Sequence, residues 1–143
     1  RDVAKRQPVK FAAMEAHWDG SQPADLVLFA WPDAARELNR FELSIPKGAS
    51  LVITHDPDGL FPGLKDFPRD ERPPVWQVFW SFRLMVAIGL AMIAIGLAGA
   101  WLWWRGRLFD ARGFLRPVGH AWPLGFIAIL AGWMVTEIGR QPW

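Results

Sequence analysis

From Leu84 to Trp104 the chain runs for 21 residues without a formal charge. As an α-helix, at about 1.5 Å of rise per residue, such a run is about 30 Å long, the hydrocarbon thickness of a bilayer. A backbone that crosses lipid must satisfy its own hydrogen bonds, so the run reads as a transmembrane helix. Apolar character extends back through Val75-Trp76-Gln77-Val78-Phe79-Trp80-Ser81-Phe82 and is interrupted only by Arg83. The helix is therefore expected to be long, tilted or entered through protein, with Pro73 and Pro74 marking its start. A second run, Pro117 to Thr136, is uncharged when His120 is neutral. Pro123 near its beginning is tolerated where neighbouring helices satisfy the freed carbonyl.

The expected fold class is all-α integral membrane: a two-transmembrane-helix hairpin, part of a larger helical bundle, preceded by an extramembrane loop region. The expected divisions are an outer loop over residues 1–74, a span over 75–104, a connector over 105–116, a span over 117–139, and the start of another outer loop at 140–143. The connector carries Arg105, Arg107, Arg112 and Arg116 against Asp110, which by the positive-inside rule places it in the cytoplasm. Residues 1–74 then lie on the outer side of a bacterial cytoplasmic membrane. Trp101, Trp103 and Trp104 suit the inner aromatic belt, and Trp76, Trp80 and Trp143 the outer one.

Composition narrows the function classes. Apolar residues make up 52% of the chain but concentrate after Val75, which implies two solvents. The absence of Cys excludes a disulfide framework and a thiol nucleophile, and a formal charge of +2 with no arginine-lined face gives no argument for nucleic acid. The chain begins with Arg1 and stops at Trp143 just past an apolar run, so it reads as cut from a longer protein.

Residues 1–74 are expected to fold or pack on a partner, because apolar groups recur throughout, as in Leu26-Val27-Leu28-Phe29 and Leu51-Val52-Ile53. Val9 to Trp18 suits a short helix with Phe11, Met14 and Trp18 on one side, and Phe41-Glu42-Leu43-Ser44-Ile45 alternates like a strand ended by Pro46.

Ionisable groups within a span cost several kcal/mol and normally face a cavity, a partner or a cofactor, which makes Arg83 and Glu137 candidates. In a hairpin, Arg83 and Met85 come level with Trp133, Glu137 and Arg140, and one buried site near the outer face is expected. Trp133, Glu137 and Arg140 share a helical face by their i, i+4, i+7 spacing. They read either as an interfacial Glu137–Arg140 ion pair beside a belt tryptophan or as a carboxylate held in low dielectric for ligation or proton transfer. Met85, Gly89, Met92, Gly96 and Gly99 make a face of little bulk, suited to close helix packing or to something flat. A thioether is also an axial ligand for haem iron, and Arg83 two residues away suits a propionate. In the loop, Lys10 and Glu15 flank the apolar surface of Phe11, Met14 and Trp18 and do not share a face; taken alone they read as two solvated charges. His17, His55 and His120 show no metal-ligand spacing and receive no role.

Three motifs, in this order and at this spacing, resemble subunit I of the cytochrome bd quinol oxidases of bacteria and archaea. They are Lys10-Phe-Ala-Ala-Met-Glu15-Ala-His-Trp18, Phe79-Trp-Ser-Phe-Arg83-Leu-Met85 and Gly132-Trp133-Met-Val-Thr-Glu137-Ile-Gly-Arg140-Gln-Pro-Trp143. The resemblance implies that residues 1–74 are most of the quinol-binding loop and that the two spans are the seventh and eighth of nine helices. It implies that Met85 is an axial ligand of a low-spin haem b, and that Glu137 is the carboxylate ligand of a high-spin haem b. Trp133 then lies between cofactors, and Arg140 and Arg83 lie near haem charges. Lys10 and Glu15 match the loop pair tied to quinol oxidation, with Glu15 suited to general-base work and Lys10 to holding the quinol oxygen. A third haem, d or b, has its ligand outside these residues.

The stretch from Asp56 to Pro74 is short, which points to the short-loop form. The implied partners are ubiquinol or menaquinol, dioxygen, the remainder of subunit I, subunit II and the bilayer. The implied activity is that of a quinol:oxygen oxidoreductase building proton-motive force, with the fragment inactive alone. The alternatives are a non-catalytic two-span anchor in which Arg83 pairs with Glu137, and a quinone-binding anchor of another respiratory complex.

Overall fold

The structure is a computed structural model that describes residues 6–142. Residues 1–5 of the expected loop, and Trp143, expected in the outer belt, lie outside the described residues. In chain order the elements are α1 (Pro8–Glu15), β1 (Leu26–Asp33), β2 (Leu38–Ile45), α2 (Gly48–Thr54), short 3-10 turns at Leu64–Asp66 and Arg69–Glu71, α3 (Val75–Trp104), α4 (Arg112–Gly119) and α5 (Trp122–Ile138).

The chain is mostly helical but not all-α: β1 and β2 form an antiparallel two-stranded sheet. The alternation at 41–45 marks one strand, but its partner at 26–33 is a plain apolar run that only pairing makes a strand. The register slips between Val27 and Phe29 and again between Phe29 and Trp31, and Phe41, at φ +51°, sits within the second irregularity. Glu37, in the turn, receives ion pairs from Arg72 at 2.7 Å and Arg69 at 3.0 Å, which ties the hairpin to the segment entering α3.

α1 starts with Pro8 in its first turn and ends at Ala16, whose φ of +49° turns the chain so that the His17 N–H bonds back to the Ala12 carbonyl at 2.9 Å. Its buried residues are Lys10, Ala12, Ala13 and Glu15, whereas Phe11 and Met14 are only half buried. Of the predicted stripe Trp18, beyond the end of α1, is buried in the core and Met14 packs against its edge, while on α1 itself small alanines make the closest approach to α3. After α1 the backbone of Gly20 lies against that of Gly63, where a Cβ on Gly63 would come within 2.7 Å of the Trp18 carbonyl. Leu64 and Lys65 donate to the His17 and Trp18 carbonyls at 2.9 Å, and Leu64 is fully buried. The expectation of a packed loop is met.

One core joins loop and helices. Ala12, Ala13, Ala16, Trp18, Val27, Ala30 and Leu64 pack with Val75, Val78 and Phe79 at the start of α3 and Val135 near the end of α5. Pro74 precedes α3 as expected, and the 30 residues of α3 are unbroken. This helix is long and apolar enough to cross a membrane, and only 6% of its apolar window is buried within the chain.

The second apolar run differs from the expected single span. α4 takes up Pro117 to Gly119, the chain breaks at His120 and Ala121, and α5 leaves at 46° to α4. Pro123 falls in the first turn of α5, where its missing N–H costs nothing, rather than inside a helix needing repair. Among the described residues there is therefore one helix of spanning length, or two spans if the bent pair is one. α5 runs antiparallel to α3. A Cβ on Gly132 would lie 3.0 Å from Met85 Sδ, and one on Gly125 4.0 Å from Met92 Cε, so equal steps in opposite directions keep the helices in register.

Candidate functional site

Glu15 ends α1 and is buried, with 5% of its surface exposed. Arg83 on α3 donates from Nη2 to Glu15 Oε2 at 2.8 Å and from Nη1 to the Met14 carbonyl at 3.3 Å. The guanidinium carbon lies 4.6 Å from the Phe79 ring centroid and 5.3 Å from that of Phe82. Arg83 Nε is buried without a partner. Burial pushes the Glu15 pKa up, and the charge and hydrogen bond of Arg83 hold it partly back; the net shift is upward. The reading of Lys10 and Glu15 as solvated charges does not hold, because Lys10 is also buried, at 8% exposed. Arg83 pairs with Glu15, not with Glu137 across the hairpin.

Glu15 and Arg83 stand at the edge of a cavity of about 700 Å³ between α2, β1 and the N-terminal half of α3. Phe11, Val52, Trp80 and Leu84 contribute to a wall that is mostly apolar, with Glu15 and Arg83 as its charged groups. A large apolar cavity with a few polar groups is the form of a small-molecule site. Trp80, expected in the outer belt, lies instead under the hairpin, its ring centroid 5.3 Å from Phe29 and 6.4 Å from Trp31. Its Nε1 donor is buried without a partner. Sequence reading missed this placement because the strand covering Trp80 was not foreseen; its position one turn before Arg83 was the available signal.

Lys10 does not line that cavity. Its side chain passes under Gly139, where a Cβ would meet Lys10 Cγ at 2.9 Å, and reaches a separate cleft of about 330 Å³ shared with Arg6, Glu71 and Arg140. Burial, and then the charge of Arg140, push the Lys10 pKa down. As their spacing predicts, Lys10 and Glu15 face different ways.

Met85 comes level with the end of α5 as expected, but the expected single buried site does not form. α5 turns Ala131 and Val135 inward, and Trp133 and Glu137 are exposed on its other side, whereas Arg140, beyond the end of α5, lines the cleft that holds Lys10. Among the described residues neither Glu137 nor Arg140 has an ion-pair partner within 4.0 Å, so the interfacial pair between them is not made. No group of three or more His, Asp or Glu side chains converges as a metal site among the described residues.

A model of the family described as cytochrome bd terminal oxidase subunit I matches residues 1–143. The chain belongs to that family. Cytochrome bd ubiquinol oxidase subunit 1 of Bacillus subtilis (strain 168) is 37% identical over 99% of this chain and 32% of its own length. Cytochrome bd-II ubiquinol oxidase subunit 1 of Escherichia coli (strain K12) is 30% identical over 99% of this chain and 40% of its own length. The solved structure of bd oxidase from Geobacillus thermodenitrificans superposes with a TM-score of 0.79 at 35% identity, covering 99% of this chain and 32% of that one. The chain thus spans about a third of the length of the relatives it matches. Cytochrome bd oxidases are bacterial membrane complexes that use haem. The residues here fit that group in part. Among the described residues Glu137 offers an exposed carboxylate without an ion-pair partner on the apolar helix α5, and Gly89 and Gly96 have nothing within 4 Å of an added Cβ on the side of α3 beside Met85. The sulfur of Met85 itself rests on Gly132.

Proposed function

We propose that this chain is the quinol-side segment of a respiratory quinol:oxygen oxidoreductase. The observation that carries the reading is the buried Glu15–Arg83 pair at the edge of a largely apolar cavity where the extramembrane loop meets α3. A quinol ring and tail are apolar with two hydroxyls, which matches such a wall and a single proton acceptor. Glu15 takes the hydroxyl proton as general base, and its raised pKa brings it nearer to neutrality, where a base accepts most effectively. Arg83 keeps that carboxylate ionised and aimed. Trp80 has a free N–H on the same wall, suited to an oxygen of the ring. Lys10, expected to hold the quinol oxygen, acts in this reading by fixing α1 against the end of α5.

Haem, when bound, supplies one-electron transfer and the reduction of dioxygen to water. Glu137 would hold the iron of a high-spin haem b, with Trp133 on the same exposed side of α5 and Arg140 one turn further on near the haem charges. Met85 would supply a thioether ligand to the iron of a low-spin haem b, whose chemistry there is one-electron transfer. The third haem, d or b, is served from outside this chain. The antiparallel α3 and α5, with α4 as a bent entry to the second span, support a two-span hairpin. The Arg-rich turn lies in the cytoplasm and the loop outside, with the rest of subunit I and subunit II covering the exposed apolar faces. The alignment to the Escherichia coli relative runs over 208 residues against 143 in this chain, which supports a short loop.

Glu15→Gln in the full-length oxidase tests the reading. Quinol oxidation is expected to fall about a hundredfold, the lower range for loss of a positioned proton acceptor, with haem content unchanged. Unchanged quinol turnover would remove Glu15 from the mechanism.

A further inference from the structure

Glu15 and Val27 belong to the walls of two cavities at once. On one side lies the apolar cavity. On the other lies a polar cleft of about 150 Å³ between the turn that follows α1 and the β hairpin, bounded by Glu15, His17, Asp19, Asp25, Asn39 and Glu42. At about 30 Å³ per molecule the cleft has room for several waters. Its charged groups differ in sign from those on the cavity side. Arg83 is the cation beside Glu15 on the cavity side, whereas the cleft carries three further carboxylates and no Lys or Arg among its lining residues.

The cleft is held open by specific bonds. Asn39 accepts from Trp18 Nε1 at 2.9 Å and donates to the Ala16 carbonyl at 3.1 Å and to Glu42 Oε2 at 2.8 Å. Asp25 accepts the Lys47 N–H at 2.8 Å and the Ser44 hydroxyl at 3.4 Å. These contacts clamp the turn after α1 to β2 with carboxylates around the opening. His17, one of the lining residues, stacks on Phe61 at 4.7 Å and has its Nε2 buried without a partner.

We propose that this cleft is the outlet by which protons taken up by Glu15 reach the outer water, with His17 and Glu42 ordering the water between. The proposal rests on the reading of Glu15 as the proton acceptor. In each half-reaction a quinol O–H bond breaks, the proton bonds to a Glu15 carboxylate oxygen, and one electron goes to a one-electron haem acceptor of the holoenzyme. The new Glu15 O–H then gives its proton to cleft water, and the carboxylate returns to its pair with Arg83. Two rounds yield quinone, two protons outside and two electrons. Direction comes from charge: the Arg83 guanidinium raises the energy of a proton moving back toward the cavity, and Asp19, Asp25 and Glu42 lower it along the cleft.

The test uses the full-length oxidase complex carrying either Glu42→Gln, which keeps an oxygen for the Asn39 amide, or Gln22→Trp, which places bulk at the exposed rim. Turnover is measured with duroquinol and with a one-electron donor that releases no proton. Each variant is expected to slow duroquinol oxidation about tenfold, short of the hundredfold loss for Glu15→Gln. It should also raise the solvent isotope effect and leave turnover with the proton-free donor at the parent rate. Parent rates with duroquinol in both cleft variants, while Glu15→Gln remains slow, overturn the outlet and leave the acceptor reading standing. A parent rate in Glu15→Gln removes the reading on which the outlet rests. Equal slowing with both donors makes the cleft a folding element and overturns the outlet.

Discussion

Arg83→Met removes the charge that compensates Glu15, together with the guanidinium contact on Phe79, while keeping an unbranched side-chain stem. The side chains of the pair are 13% and 6% exposed, so Glu15 would be left as an uncompensated buried carboxylate. Losing one partner of a buried pair costs about 3–5 kcal/mol. Glu15 has an escape, because it can take a proton. From an ordinary carboxylate value of about 4.3, remaining protonated at pH 7 costs about 3.7 kcal/mol, at about 1.36 kcal/mol per unit, and this caps the loss. In the variant the folded-state pKa of Glu15 rises further above its unfolded value, because the two contributions that lowered it are gone. Below the unfolded value the carboxyl is protonated in both states and no penalty exists. Above it the penalty grows with pH until the raised folded value is reached. Because the parent's raised Glu15 already carries part of this penalty, thermal melting of the detergent-purified oxidase should show a deficit below the cap of about 3.7 kcal/mol near pH 7, and a smaller one at pH 5.5. Adding Glu15→Gln should recover most of it at pH 7. An equal deficit at both pH values, or no recovery in the double variant, would refute the claim that Glu15 is the group Arg83 compensates.

The haem assignments separate in a reduced-minus-oxidised visible spectrum of membranes carrying the full-length parent: Met85→Leu should remove only the low-spin haem b band and Glu137→Ala only the high-spin signal. An unaltered Met85→Leu spectrum, with the protein present, makes that methionine a packing residue on Gly132. Trp31→Ala takes away ring contacts with Trp76 at 6.1 Å and Trp80 at 6.4 Å. At about 0.5–1.5 kcal/mol per aromatic pair it should loosen the hairpin from α3, measured as faster limited proteolysis between residues 26 and 45, and an unchanged cleavage rate would show that the aromatic contacts do not hold the hairpin.

The membrane character of this chain follows from sequence alone, because one-dimensional facts decide it: a charge-free run of bilayer length, prolines at its entry and arginines after its exit. Helix α3 is where that reading puts it, since an apolar helix of this length needs no tertiary partner to satisfy its backbone. The candidate residues were legible in different ways: Arg83 and Glu137 stand out as charges in apolar runs, whereas Glu15, which reads alone as a solvated charge, is singled out by the motif around it. Tertiary structure decided what those residues face. Periodicity gives Phe11 and Met14 the inner face of α1, yet Ala12, Ala13 and Glu15 take it, because packing onto Val75, Val78 and Phe79 rewards close approach over bulk. Sequence offered Glu137 as a partner for Arg83 at nearly the same depth. The rotation of α5 about its axis sends that carboxylate outward, and the turn at Ala16 brings Glu15 in instead. The strand at Leu26–Asp33 exists only through its pairing with Leu38–Ile45, and with it come the cover over Trp80 and the cleft beyond Glu15. A sequence lists which groups are available along the chain; which two meet across 68 positions, as Arg83 and Glu15 do, is settled only when the backbone closes the loop between them.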